Sequence, residues 1–453
     1  MNLPGVATQS GWGVATGRTL PHRILYWLAI CSAVVAAQLV FPLGFVWGAA
    51  VFFLMLGAGF GLWFWRLGRI PALAGVLIFV LLRPLYLILV DPLAGPDEIG
   101  FYRQVEVYDG YGAFFSAFQG HLREVLANPL ARYSDPWFGF VFMPLYSFWE
   151  RTDPQLIVLI NSAMFLSGTW AICAMVARSK YVADGTKIAP WLALAMLMSP
   201  VFNYHSAIFA KDIAAYFLGA HAAYQFQKRR WLLSMVLLLF GTAVRPYMVV
   251  AVFVYIAVCD LPLKVLVLGA VGAVAFVLVR TAGNTTVLLN GVLITGYVFV
   301  SPFPLNASNY ESYILPLTME ACVSALMLLA LPIVALASSA SRQLYVRCVV
   351  GIFVFALALT LVGYMNAAVA RGLDYGLGSA GDNMVRKKLA VVPLVYIMLI
   401  QGVRILAGRI MRLRPRGAGY LPVKCSPEPD PAIMSVLDRR TGCGRAGSQT
   451  SRS

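Results

Sequence analysis

Asp97 and Glu98 stand side by side in DPLAGPDEIGFYRQVEVY (91–108), on a Gly-Pro turn directly after the apolar run IPALAGVLIFVLLRPLYLILV. A carboxylate held where lipid meets water can be desolvated, and desolvation would raise its pKa toward the range of a general base. Tyr102 and Arg103 follow in the same stretch and add a hydroxyl and a cation for substrate binding. The bland alternative is a solvated loop whose aromatic residues rest at the lipid headgroups.

Three more groups suit the binding of an anion. Lys211-Asp212, in SPVFNYHSAIFAKDIAAYFLG (199–219), falls between two apolar segments. It reads as a neutralised structural pair, or as a lysine holding an anionic head group that Asp212 orients. Arg83 and Arg245, in LLRPLYLI and AVRPYMVV, lie within apolar runs. There a cation costs about 2.5–3.5 kcal/mol and is expected to face a partner or a wet cavity. Each precedes Pro, which interrupts the backbone ladder and favours a kink, and a guanidinium can grip two phosphate oxygens at once. Arg83, near the outer end of its run, can snorkel; Arg245, in mid-run, is the stronger site residue. Finally, Arg386, Lys387 and Lys388 in GSAGDNMVRKKLAVVPLV (378–395) either anchor a span or grip a phosphate at the membrane surface. His205, six residues before Lys211, would sit on a different face of one continuous helix and reads as structural.

The elements that must position these residues follow from composition. Of 453 residues, 60% are hydrophobic and 12% charged, and the mean hydropathy is +0.77. Soluble domains carry about 25% charged residues. Continuous apolar runs recur at lengths able to cross a bilayer core, without the alternation of a β-barrel. The expected fold is an all-α polytopic membrane protein of about twelve spans: 24–40, 45–65, 71–90, 155–177, 188–208, 212–227, 231–257, 264–280, 286–300, 318–337, 348–369 and 389–407. WFGFVFMPLYSFW (137–149) is short and broken by Pro144, and reads as an interfacial or re-entrant helix.

Most of the 35 Lys and Arg then fall in cytoplasmic segments, as topology bias requires, and both termini are expected in the cytoplasm. Most of the 19 Asp and Glu fall on the outer face, which marks it as the working face. The organisation is a cytoplasmic segment 1–23, a membrane domain 24–409 with a large first outer loop at 91–154 carrying amphipathic helices, and a basic tail 410–453 too polar to bury a core. The net charge of +16 flanks spans rather than forming a nucleic-acid patch. Seven scattered cysteines give neither a disulfide framework nor a zinc spacing. No Gly-rich phosphate loop, serine-hydrolase elbow or HExxH is present, and no metal is predicted.

Taken in order, PDEIGFY in the first large loop, FMPLYSFW closing it, SP…S…KD ahead of a span, RP within the next, and a basic cluster before a late Pro-bearing span resemble the GT-C superfamily of membrane glycosyltransferases. The likeness is to bacterial relatives of the protein mannosyltransferase and lipid A aminoarabinose transferase type, over roughly residues 70–410. The two spans before residue 70 are an addition to the simplest family pattern. The resemblance implies inverting transfer from a polyprenyl-phosphate-linked sugar to a glycan or lipid acceptor on the outer face of the cytoplasmic membrane. It implies a carboxylate as base or acceptor-positioning group at Asp97 with Glu98 beside it, and phosphate binding by Lys211, Arg245 and residues 386–388. The second carboxylate motif of metal-dependent oligosaccharyltransferases is not evident, so a divalent metal is compatible with the family but unsupported. Membrane lipids and polysaccharide-assembly machinery are the expected partners. Two other readings stand beside it: an O-antigen or exopolysaccharide polymerase joining lipid-linked repeat units, and a flippase for lipid-linked glycans.

Overall fold

A computed structural model of the chain describes residues 44–413 apart from 66, 68, 108–110, 128–153, 183, 304, 307–314, 336–338 and 380–383. The expected span at 24–40, the segment 137–149 and the tail beyond 413 lie outside the described residues. The chain divides into two units, residues 1–405 and 406–453; the described part of the second is the last turns of one helix.

All regular structure among the described residues is helical. α1 (Phe45–Phe64) and α2 (Arg69–Leu89) form an apolar pair, followed by the short α3 (Pro96–Glu106) and α4 (Tyr111–Ala127). Then come α5 (Gln155–Arg178), α6 (Gly185–Met198), α7 (Pro200–Ala207), α8 (Asp212–Gln227), α9 (Trp231–Val244) and α10 (Met248–Asp260). The chain continues through α11 (Leu263–Arg280), α12 (Thr285–Val300), α13 (Leu315–Ala335), α14 (Ser339–Tyr364), α15 (Met384–Lys387) and α16 (Val392–Leu413).

Five of these helices are long and apolar enough to cross a membrane, or seven if each of two bent pairs counts as one span. Twelve was the expectation. The expected span 24–40 is outside the described residues; the rest of the difference lies in apolar stretches that are short, such as α9, α10, α12 and Leu315–Ala330 of α13, and in runs that bend. Large apolar side chains remain exposed along α1, α2, α9 and α11, among them Leu62, Leu81, Leu232, Leu268 and Val279. Water would not tolerate so much uncovered apolar surface; the chain is a helical membrane protein.

Three expected spans take a different form. The run 231–257 is a hairpin. Ser234 donates to the Ala222 carbonyl at 2.8 Å and Arg245 meets Asp212, so α9 runs antiparallel to α8. Met248 lies against Gly219, and Gln227 meets Asp260, so α10 runs parallel to α8. Pro246 lacks a donor and forces Arg245 into an extended conformation (φ −143°, ψ 110°), which ends α9. Arg245 is therefore at the hairpin tip, not in mid-span. Hydropathy cannot see a reversal inside a run that stays apolar on both sides. The run 188–208 bends by 52° at Ser199-Pro200. Ser199 Oγ caps α7 by accepting from the Phe202 amide at 3.3 Å, and Glu320 on α13 accepts from Ser199 Oγ at 2.9 Å, the Val201 amide at 2.8 Å and Tyr396 Oη at 2.5 Å. The third bend, of 74°, separates 384–390 from 392–407.

α8 is the hub. Its Ala214, Ala215, Gly219, Ala220, Ala222 and Ala223 are all buried, and small side chains let α5, α9 and α10 approach closely where apolar burial alone gives no drive. Phe165, Phe202 and Tyr216 stack within 4.9–5.1 Å between ring centroids of successive partners. Arg83 does not snorkel. It is fully buried and donates to the Asn203 carbonyl (2.8 Å), Ser206 Oγ (3.0 Å) and the Ser206 carbonyl (3.0 Å), stapling α2 to α7.

One end of the bundle is closed by Arg347, which donates to the Leu261 carbonyl at 2.6 Å, by Ser179, and by an ion pair between Arg404 and Asp184 at 2.8 Å. The hydrogen bond from Arg404 holds the Asp184 carboxyl below the usual carboxylate range. The opposite end carries the site.

Candidate functional site

Connections that are distant in sequence meet at this end. The Phe209 amide donates to the Pro92 carbonyl at 2.8 Å, tying the turn between α7 and α8 to the segment after α2. Asn161 of α5 holds the neighbouring Ile208 carbonyl at 3.0 Å. Non-helical backbone at the edge of a bundle needs such partners, or a cavity, to satisfy its polar groups.

Asp97 and Glu98 occupy the first turn of α3, where the amide ends of the helix favour negative charge. Their environments differ. The Asp97 side chain is 58% exposed and that of Glu98 9%. Glu98 folds back over Gly95, where a Cβ would come within 2.3 Å of Oε2.

Arg386, on α15, joins both to Asp212 at the start of α8. Its Nε donates to Asp212 Oδ2 at 2.5 Å, and its Nη1 to Asp97 Oδ2 at 3.2 Å and Glu98 Oε1 at 3.3 Å. Asp212 also accepts from Arg245 Nη2 at 2.8 Å and Tyr247 Oη at 3.0 Å. With its side chain 2% exposed, Asp212 would be costly as a lone charge; two guanidiniums and a phenol compensate it. The Phe101 ring, one turn beyond Asp97, carries Lys211 Nζ at 4.5 Å and the Arg386 guanidinium at 5.6 Å from its centroid. Cations on an aromatic face are attracted by its quadrupole.

The cluster borders a cavity of about 580 Å³ whose wall includes Asp97, Glu98, Tyr204, His205, Tyr297 and Arg386. Its size is that of a small-molecule pocket. Lys388 is buried and donates to the carbonyl of Ser301, another wall residue.

Of the residues singled out from sequence, Asp97, Glu98, Asp212, Arg245 and Arg386 form one ion-pair network, and Lys211 adjoins it through Phe101. Three do not act as expected of phosphate ligands. Tyr102 packs edge-on against Phe209, with centroids 5.6 Å apart; Arg103 is exposed; Lys388 serves a backbone carbonyl. Lys387 is half-buried on the same turn as Arg386. Sequence reasoning missed Tyr247, Phe101 and the cavity position of His205. Tyr247 had a signal, since it follows the Arg-Pro that makes the hairpin tip. Phe101 and His205 had none, because only the tertiary fold brings them to the cluster.

Among the described residues no group of three or more His, Cys, Asp or Glu is arranged to hold a metal ion. What the arrangement offers is a half-exposed carboxylate beside a guanidinium that is itself fixed from behind by a buried carboxylate. Such a pair can take a proton and face an anion in one pocket. No family model, curated protein or solved structure matches the chain.

Proposed function

We propose that the chain is an integral-membrane glycosyltransferase, similar to the GT-C superfamily, that moves a sugar from a polyprenyl-phosphate donor to a glycan or lipid acceptor. In this reading the cavity faces the outer side of the cytoplasmic membrane and both termini are cytoplasmic. The observation that carries it is the convergence of Asp97, Glu98 and Asp212 on the single guanidinium of Arg386 at the wall of a 580 Å³ cavity.

The contacts of Arg386 divide into two kinds. The Nε contact is to Asp212, whose side chain is 2% exposed, and it fixes the guanidinium from behind. The Nη1 contacts reach Asp97 and Glu98 on the cavity wall and are the ones a donor phosphate displaces. Displacement frees Asp97. The acceptor oxygen then attacks the anomeric carbon as the carbon–oxygen bond to phosphate breaks. Asp97 receives the acceptor proton, and the phosphate leaves with the bonding pair, its charge facing Arg386. A single displacement inverts the anomeric centre.

The test is the mass of lipid-linked glycans from cells lacking the protein. A unit one sugar short supports the transferase and names the sugar. A complete repeat unit accumulating while polymer disappears would overturn it in favour of a polymerase or a flippase.

A further inference from the structure

His205 is 4% exposed, and neither of its ring nitrogens has a hydrogen-bond partner among the described residues. Buried imidazole nitrogens are ordinarily satisfied, and leaving them unsatisfied costs stability unless a ligand supplies the partners. The ring is not lost in the core. It lines the 580 Å³ cavity together with Tyr204, Asp97, Glu98 and Arg386, and its face is met edge-on by Tyr204 with centroids 5.2 Å apart. An aromatic neighbour fixes the ring without using its nitrogens.

The backbone carrying it is also fixed. α7 is bent away from α6, capped at its start by Ser199 and Glu320. It is pinned along its length by Arg83 to the Asn203 and Ser206 carbonyls. Beyond its end, Ile208 and Phe209 are tied to Asn161 and Pro92. Asn203 Oδ1 on the same helix is also without a partner among the described residues, but Asn203 does not line the cavity and His205 does.

We infer that His205 reads the sugar of the donor, its two ring nitrogens bonding to hydroxyl groups of a pyranose held beside Asp97 and Arg386. A neutral imidazole offers one donor and one acceptor, and a hydroxyl can take either part. A phosphate offers acceptors only, so it cannot satisfy both nitrogens of a neutral ring. This inference rests on the proposed transferase reading and adds to it which chemical part of the donor the α7 wall recognises. His205 is thus a specificity-determining binding residue, not the base.

The experiment compares two kinds of probe on the full chain in lipid nanodiscs. One is farnesyl phosphate; the other is the set of farnesyl phosphates of glucose, galactose, mannose and N-acetylglucosamine. Wild type is expected to bind at least one sugar-bearing probe more tightly than farnesyl phosphate. His205→Leu is expected to weaken that sugar-bearing probe about tenfold, as loss of two neutral hydrogen bonds would, and to leave farnesyl phosphate unchanged. His205→Gln, which keeps a donor and an acceptor, is expected to recover part of the loss. Unchanged farnesyl phosphate binding also shows that the variant is folded. Equal loss for both probes, or no loss for either, overturns the role of His205 while the transferase reading stands. Wild type that binds neither kind of probe removes the transferase reading, and this inference with it.

Discussion

Arg386 Nε donates to Asp212 Oδ2 at 2.5 Å across 174 residues of sequence. The bond closes the bundle end at which α3, α8, the α9–α10 hairpin and α15 meet, and it connects a buried carboxylate to two that border the cavity. Asp212 is thereby an anchor, and under the proposed transferase reading Asp97 is the working group, although both touch the same guanidinium.

Removing the anchor should damage the fold. Asp212→Asn leaves Arg245 and Arg386 partly uncompensated at a buried position, and breaking a buried pair costs about 3–5 kcal/mol. The expected result is a large fall in thermal unfolding temperature and in membrane abundance. An unfolding temperature equal to wild type would show that the network is not structural.

Removing the working group should not. The Asp97 side chain is 58% exposed, and exposed ion pairs contribute about 0–1 kcal/mol. Asp97→Asn is expected to keep abundance and unfolding temperature while lowering sugar transfer by about 10²–10⁴-fold, the usual weight of a general base. Glu98→Gln, at a buried position, should reverse that balance, with a smaller loss of rate and a measurable loss of stability. Turnover of a farnesyl-phosphate-linked sugar, measured beside thermal unfolding, separates the two carboxylates. Full activity in Asp97→Asn would end its assignment as base.

Glu320→Ala tests the bend that presents α7. It strips the Ser199 hydroxyl, the Val201 amide and the Tyr396 hydroxyl of one acceptor. Each unsatisfied buried donor costs about 1–3 kcal/mol, so the variant should be among the least stable single substitutions in the chain. Glu320→Gln retains an acceptor and should be milder. Denaturation in nanodiscs ranks the pair, and equal stability of all three proteins would exclude the capping role.

At the far end of the bundle, Asp184 gives a pH signature. Its carboxyl is held below the usual range, first by the hydrogen bond from Arg404. A depressed folded-state pKa adds stability that is present above the unfolded value, about 3.9, and lost as pH falls through the lower folded value. The gap in unfolding temperature between wild type and Asp184→Asn should therefore be present at neutral pH and close below about pH 4. It should also be small, because the Asp184 side chain is half exposed. A gap that widens on acidification would contradict the assignment.

The helical membrane architecture was legible in the apolar runs, and so were most members of the ionic cluster. Charged residues in or beside such runs are rare enough that each announces a constraint, and Asp97, Asp212, Arg245 and Arg386 all meet in space. Their roles were less legible. Lys388 and Arg386 stand two residues apart and read alike, yet one supports the Ser301 carbonyl and the other organises three carboxylates. Charge type is written in the sequence; direction is not, since Arg386 lies in an α-helical turn and Lys388 opens the 3-10 turn that follows it. The hairpin at Arg245 was hidden for a related reason. Its two arms, of 14 and 13 residues, add up to one plausible span, and the break at Arg245-Pro246 together with packing on the small residues of α8 separates them.

The long sequence separation within the cluster has a consequence for synthesis. A growing chain makes Asp97 and Glu98 first, Asp212 with Arg245 later, and Arg386 only after nearly four hundred residues. Until then the three carboxylates share no common cation, and Asp97 and Glu98 lack the partner that seats them. A chain cut short before Arg386 is not a smaller version of the site but an electrostatically open one, bearing surplus negative charge at the end of its bundle. The finished network thus reports that the ribosome has passed α15.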